Sequence, residues 1–284
     1  MSKSKKDQPR TATASSKTGK PGTPRSVSTS RREQLRAQQE AEAKHKRTIR
    51  IITAAAIVIA LLIVVIVVVV TVQSRDSSTT GDYPTGTGEQ IVPPSANADN
   101  TGLVYGGVEP SVGAPDVVVF MDYQCPGCAQ AATLVEPKLE ELADNGEIQL
   151  TYHLLHGLDG SFPGNHSFRA AIGATCADVQ GVFPEYSKIV FAGQPPTEGD
   201  GWTDKQLAED YPTLVGLEGE ELSAFQTCYA DRATTDFVMN MQNSLPSTIR
   251  ATPSFTVNGK LWTPSNSDLA STDAMRESIN NAAS

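Results

Sequence analysis

Hydrophobic positions change their spacing repeatedly along the chain, and each change marks a different kind of segment. Residues 1–30 hold almost no apolar side chains, and residues 31–46, rich in Glu, Gln, Ala and Arg, predict a charged juxtamembrane helix without an apolar stripe. Residues 51–72 are 22 positions without a charge or a proline, dense in Ile and Val, which is long enough to cross a bilayer as one helix. Residues 73–100 return to Ser, Thr, Gly and Pro and read as a flexible tether of roughly 30 Å root-mean-square reach. Folding patterns begin only after that. A possible short strand at 102–105 precedes a β-branched run at 117–121 that predicts a buried strand, and the Ala-rich stretch after Cys128 predicts a helix to about Leu142, closed by Asn145 and Gly146. Residues 148–155 alternate as a second strand, parallel to the first across a βαβ crossover.

Beyond Ser167 the spacing turns helical. Asn165 or Ser167 is placed to cap a helix through Phe168, Ile172 and Cys176, and Leu222, Phe225 and Cys228 mark the apolar face of another. Strand character returns at 254–257, followed by the hairpin signal Asn258-Gly259 and a partner strand at 260–262. A closing helix is expected over 268–282. The order predicts an α/β fold whose two halves are separated by a helical insertion at about 160–246, within a domain spanning 101–284.

Charge sharpens the division. The net charge of −9 hides +10 in residues 1–50, from 14 Lys and Arg against 4 acids, and therefore −19 in the rest. A basic, Ser-rich and Pro-rich tail cannot bury enough surface to fold. Its basic clusters are read as a topology signal and an attraction to anionic lipid rather than as a nucleic-acid site. Lys44, Lys46, Arg47 and Arg50 lie before the apolar span while Arg75 beside Asp76 follows it, so the N-terminus is expected in the cytoplasm and the domain outside. A cleaved secretory signal is the rival reading, but its apolar core is shorter and its leader is not fifty residues long.

Outside the membrane cysteines tend to pair. Cys125-Pro126-Gly127-Cys128 stands where the strand gives way to the helix. Pro126 suits the first helical position, which makes Cys125 the N-cap. There its sulfur faces unpaired N–H groups and the positive end of the helix dipole, so its thiolate is stabilised and it becomes the nucleophile. Cys128 lies on the same face one turn on, within bonding distance, so the pair can cycle between dithiol and disulfide. A zinc ribbon would need a second close Cys or His pair, and Cys176 and Cys228 are far apart in sequence, so no metal is expected. Those two are expected to form a structural disulfide stabilising the fold by about 4 kcal/mol, with a pair of inert buried thiols as the alternative.

Three stretches together resemble the DsbA-type thiol-disulfide oxidoreductases of the thioredoxin superfamily: residues 120–128, residues 167–171 leading to Cys176, and Ala251-Thr252-Pro253-Ser254-Phe255 before the hairpin. The basic tail, single span and additional cysteine pair look most like the membrane-anchored actinobacterial members. The resemblance covers about 103–282 and implies a thioredoxin fold with an inserted helical subdomain, preceded by a single transmembrane helix. It implies Cys125 and Cys128 as the catalytic pair, and a cis proline at Pro253 beside them with the backbone of Thr252 binding an extended substrate. It implies no cofactor, reduced secreted proteins as substrates, and a quinone-linked membrane reoxidant of the vitamin K epoxide reductase type. The chain departs from the superfamily at two positions. Val119 stands where many members have a buried acid six residues before the first cysteine, and Gly127 stands where DsbA-type members often have His. The expected activity is oxidation of thiols in secreted proteins. A reductase or isomerase of the same fold, or a non-catalytic binding module, are the alternatives. His153, His156 and His166 are expected near the surface, and Asp122 as a strand-end residue on another face from the cysteines.

Overall fold

The computed structural model describes residues 83–284. The expected tail, the expected span at 51–72 and the first part of the expected tether lie outside the described residues. Among the described residues, no helix is long and apolar enough to cross a membrane.

One mixed sheet of five strands carries the fold. β2 (Asp116–Asp122) and β3 (Gln149–Leu155) are its parallel centre, with Val119 opposite Tyr152. The two-residue β1 (Leu103–Val104) pairs antiparallel with β3, and β4 (Ser254–Val257) pairs antiparallel with β2. β5 (Lys260–Trp262) closes the far edge through a hairpin in which Asn258 and Gly259 both take positive φ, 49° and 75°, as a two-residue primed turn requires. The two-residue period of a strand explains the burial: Val117, Val119 and Met121 enter the main core, while Phe120 joins Leu155 and Ile249 in a smaller cluster on the opposite face.

The helix after the redox motif differs from the single helix expected. It breaks at Val135 into α1 (Pro126–Leu134) and α2 (Glu136–Asp144), because Pro137 cannot donate to the preceding turn and opens a new first turn instead. Asn145 and Gly146 close α2, with Gly146 at φ 67°. The insertion starts with a 3-10 turn (Gly157–Gly160) and continues through α3 (His166–Val179), α4 (Phe183–Ala192), a π turn (Gln206–Asp210) and α5 (Tyr211–Leu214). It ends with α6 (Gly219–Asp231) and α7 (Thr235–Asn243). A helix α8 (Thr272–Ala283) follows a short 3-10 turn and packs against α2.

Cys176 in α3 and Cys228 in α6 are bonded. Helix α3 is not capped by its own Asn165 or by the Ser167 side chain; Asp159 of the 3-10 turn accepts from the N–H groups of Ser167 and Phe168 at 2.9 Å each. Residues 83–100, read from sequence as part of the tether, pack on the domain. Thr87 and Ile91 donate backbone bonds to Asp231 and Ala233, and the Ser95 N–H donates to Asp178. Tyr83 meets His156 edge-on and lies tilted against Phe168, at centroid distances of 4.6 and 4.8 Å. The composition of this segment is that of a linker, but its main chain finds partners along the insertion.

Candidate active site

Cys125 occupies the N-cap of α1, with φ −74° and ψ 119°, and Pro126 begins the helix. Its carbonyl accepts from the N–H groups of Cys128 and Ala129, the bonds that start the helix, so the sulfur remains on the side of the free N–H ends. Cys125 keeps 9% of its surface exposed and Cys128 keeps none, and both are free thiols. One sulfur of the pair can therefore be approached from outside and the other cannot.

The Thr252–Pro253 bond is cis, and the Cys125 thiol donates to the Thr252 carbonyl oxygen at 3.2 Å. Gly127 leaves room for the proline ring: a Cβ at that position would stand 3.0 Å from Pro253 Cδ and 3.6 Å from Cys125 Sγ. All four residues expected from the sequence at the site, Cys125, Cys128, Thr252 and Pro253, thus share one place at the ends of β2 and β4.

The two thiols are driven apart in acidity. Hydrogen bonding from Cys128 pulls the Cys125 thiol down to about 5; burial opposes this, and the Thr252 side chain and the N–H groups of Cys128 and Gly127 assist. Burial pushes the Cys128 thiol far up, as does its partnership with Cys125. A nucleophile that is ionised at neutral pH and a partner that holds its proton make up a dithiol suited to exchange.

Asp122 departs from expectation. It is 2% exposed, and its carboxylate accepts from the Ser167 hydroxyl at 2.5 Å and from the N–H groups of Gln124 and Leu158 at 3.0 Å each. Burial pushes its pKa up to about 7, against the pull of those donors. Gln124 adds bonds to Ser167 and Asp159 at 2.8 and 2.9 Å. The loop that carries the cysteines is thereby tied to the insertion by partners 35 to 45 residues away, which no local pattern announces.

His153 and His156 are buried rather than near the surface. His153 Nε2 lies 2.7 Å from the Met241 carbonyl oxygen, and His156 is enclosed by the rings of Tyr83 and Phe168. Burial lowers both to about 4, so they are neutral at physiological pH. Among the described residues no group of His, Cys, Asp and Glu could hold a metal ion.

Two clefts flank the cysteines. One, of about 360 Å³, runs past Gly127, Leu134, Pro253, Leu261 and Trp262. The other, of about 410 Å³, opens between Cys125 and the insertion.

The thioredoxin family model matches residues 100–280. The solved structure of MdbA, a thiol-disulfide oxidoreductase from Corynebacterium diphtheriae, superposes with a TM-score of 0.53 at 17% identity, covering 72% of this chain and 100% of that one. MdbA from Actinomyces oris gives a TM-score of 0.54 at 15% identity, covering 73% and 98%. These likenesses are of fold. Among curated proteins, the Na(+)/H(+) antiporter NhaA 1 of a Mycobacterium species is 30% identical over 149 residues, which make up 52% of this chain. The match spans 22% of that antiporter's length.

Proposed function

The chain belongs to the thioredoxin family, and from that premise we propose that it is an extracytoplasmic thiol-disulfide oxidoreductase of the DsbA type that introduces disulfides into secreted or surface proteins. The reading rests on one observation above the others: an accessible sulfur at a helix start, depressed to about 5, beside a buried sulfur and the carbonyl of Thr252. In the oxidised pair a client thiolate attacks Cys125, forming a mixed disulfide and breaking the Cys125–Cys128 bond. The electron pair passes to Cys128, which takes up a proton. A second client thiolate then attacks the client sulfur, closing the client disulfide and releasing Cys125 as a thiolate. Two electrons have moved from client to enzyme.

Stabilising the released thiolate favours the forward direction. At pH 7 a thiol shifted from 9.0 to about 5 gains about two units of useful stabilisation, equivalent to about 60 mV toward the oxidant side. The helix-terminal donors and Thr252 thus supply, in this reading, what a histidine at the Gly127 position would have added. The absence of that histidine is what favours the second reading, a reductase or isomerase on the same fold. A non-catalytic binding module would leave the separated acidities of the two thiols without a use.

Recycling needs a membrane oxidant, which we take to be quinone-linked and of the vitamin K epoxide reductase type, with residues 51–72 as the anchor and the N-terminus in the cytoplasm. The deciding experiment equilibrates the full chain with glutathione buffers and reads the 125/128 couple by thiol trapping. A potential at or above the glutathione poise supports an oxidase, and one near about −270 mV, the thioredoxin value, supports a reductase.

A further inference from the structure

Cys125 and Thr252 line the cleft toward the insertion, but its remaining residues have no part in the exchange chemistry. Leu155, Leu158, Leu245 and Ile249 give it an apolar lining. Leu155 and Ile249 are almost wholly covered, while Leu158 and Leu245 are half-buried and keep apolar surface free inside it. Its walls come from the turn after β3 and the segment joining α7 to β4, so it exists because the insertion interrupts the fold at that point.

Covalent geometry dictates what enters such a cleft. In the mixed disulfide the client cysteine's Cα lies within about 7 Å of the Cys125 Cα, and the residues on either side of it are about 3.8 Å further along the chain. A cleft that opens at the Cys125 sulfur therefore receives a side chain next to the client cysteine and not a distant part of the client. The lining decides which kind. Asp122, Glu198, Gln242, Arg250 and Thr252 border the cleft as well, so the choice of an apolar side chain rests on the four aliphatic residues, whose surface a leucine or phenylalanine would cover and a serine or aspartate would not. Resting on the oxidoreductase reading, we propose that this cleft is a specificity subsite that takes an apolar side chain, of the size of Leu or Phe, from the residue adjacent to the client's attacking cysteine.

The test uses the full chain with its 125/128 pair oxidised and a set of short dithiol peptides. They carry Leu, Ser or Asp immediately before or immediately after the attacking cysteine. Leu is expected to raise kcat/KM about tenfold over Ser on one of the two sides, with Asp at or below Ser. Leu158→Ser and, separately, Leu245→Gln are expected to remove most of that preference while leaving the rate of reduction by dithiothreitol unchanged. Equal rates for all peptides in the unmodified protein would overturn the subsite while leaving the oxidoreductase intact. A preference that survives both variants but disappears in Leu261→Ser would assign recognition to the opposite cleft and overturn it as well. If no peptide is oxidised at all, it is the underlying activity that fails, and the subsite with it.

Discussion

The two cysteine pairs of this chain show how far placement governs the behaviour of the same atom. Cys125 and Cys128 begin a helix, three residues apart, where free N–H groups, a threonine side chain and a cleft meet the sulfur. Cys176 and Cys228 come from two helices of the insertion, 52 residues apart, and are bonded within the hydrophobic core. The first pair has donors that stabilise a thiolate and a way in for a client. The second has packed neighbours. In this reading the first pair does the chemistry and the second holds together the insertion on which the site's Asp122 and Gln124 are anchored.

The largest effects should separate the pairs outright. Cys125→Ser is expected to reduce oxidative refolding of a reduced protein by at least about a thousandfold, since the other free thiol among the described residues, Cys128, is wholly covered and holds its proton. Replacing Cys176 and Cys228 together with Ala should change the rate per folded molecule by no more than a few-fold. If the second change abolished exchange in a chain that remains folded, the division of labour would be wrong.

Stability should respond the other way. Opening a loop of 52 residues is expected to cost up to about 4 kcal/mol, or roughly 10 °C in Tm for a domain of this size. Reducing the 125/128 pair opens a loop too short to matter much. Calorimetry of Cys176→Ala/Cys228→Ala against Cys125→Ala/Cys128→Ala gives the comparison, and equal losses would contradict it.

Much of the contrast is legible in the sequence itself, and the remainder depends on partners distant along the chain. The β-branched run, the Cys-Pro-Gly-Cys junction and Asn258-Gly259 are local signals, each decided by the backbone needs of a few neighbouring residues, and all appear where expected. The partners of Asp122 are not local: Leu158 and Ser167 reach it across the fold, turning a strand-end carboxylate into a buried one. His153 and His156 are buried against expectation because a polar ring can be covered when the chain supplies a carbonyl or two aromatic rings, neither of which is visible in spacing. The segment from Tyr83 has the composition of a linker, but its backbone bonds to a helix corner need little from its side chains.

A pH series sharpens the comparison at intermediate size. Cys125 is depressed in the folded reduced protein, to about 5 against 9.0. Its contribution to the stability of the reduced form is therefore complete only above the unfolded value, partial at pH 7, and lost as pH falls through about 5. Allowing for solvent at the partly exposed sulfur, that contribution at pH 7 is about 1–2 kcal/mol. The Tm of the 125/128-reduced form minus that of the oxidised form should rise by a few degrees between pH 4 and pH 7.5. The same slope should persist in Cys176→Ala/Cys228→Ala. A flat difference would mean that the thiolate gains nothing from its surroundings.

The smallest effects give the finest test, because each pair has a threonine beside it. The Thr252 side chain lowers both sulfurs of the first pair, whereas Thr234 Oγ1 lies 4.0 Å from Cys176 Sγ and spends its hydrogen bond on Thr175 Oγ1 at 2.6 Å. Thr252→Val preserves shape and the backbone carbonyl but removes the hydroxyl. It should raise the Cys125 pKa by roughly one unit, about 1.4 kcal/mol in thiolate stability, and make the couple about 30 mV less oxidising. Thr234→Val should leave the titration and the potential untouched. Thr175 keeps its bond to the Ala171 carbonyl, so the loss is confined to about 1 kcal/mol of stability. The ultraviolet absorbance of the thiolate, followed with pH in both variants, reads the difference directly. If Thr252→Val titrates like the unmodified protein, the helix-terminal N–H groups and Cys128 act on Cys125 without it, and the threonine beside each pair is packing in both places.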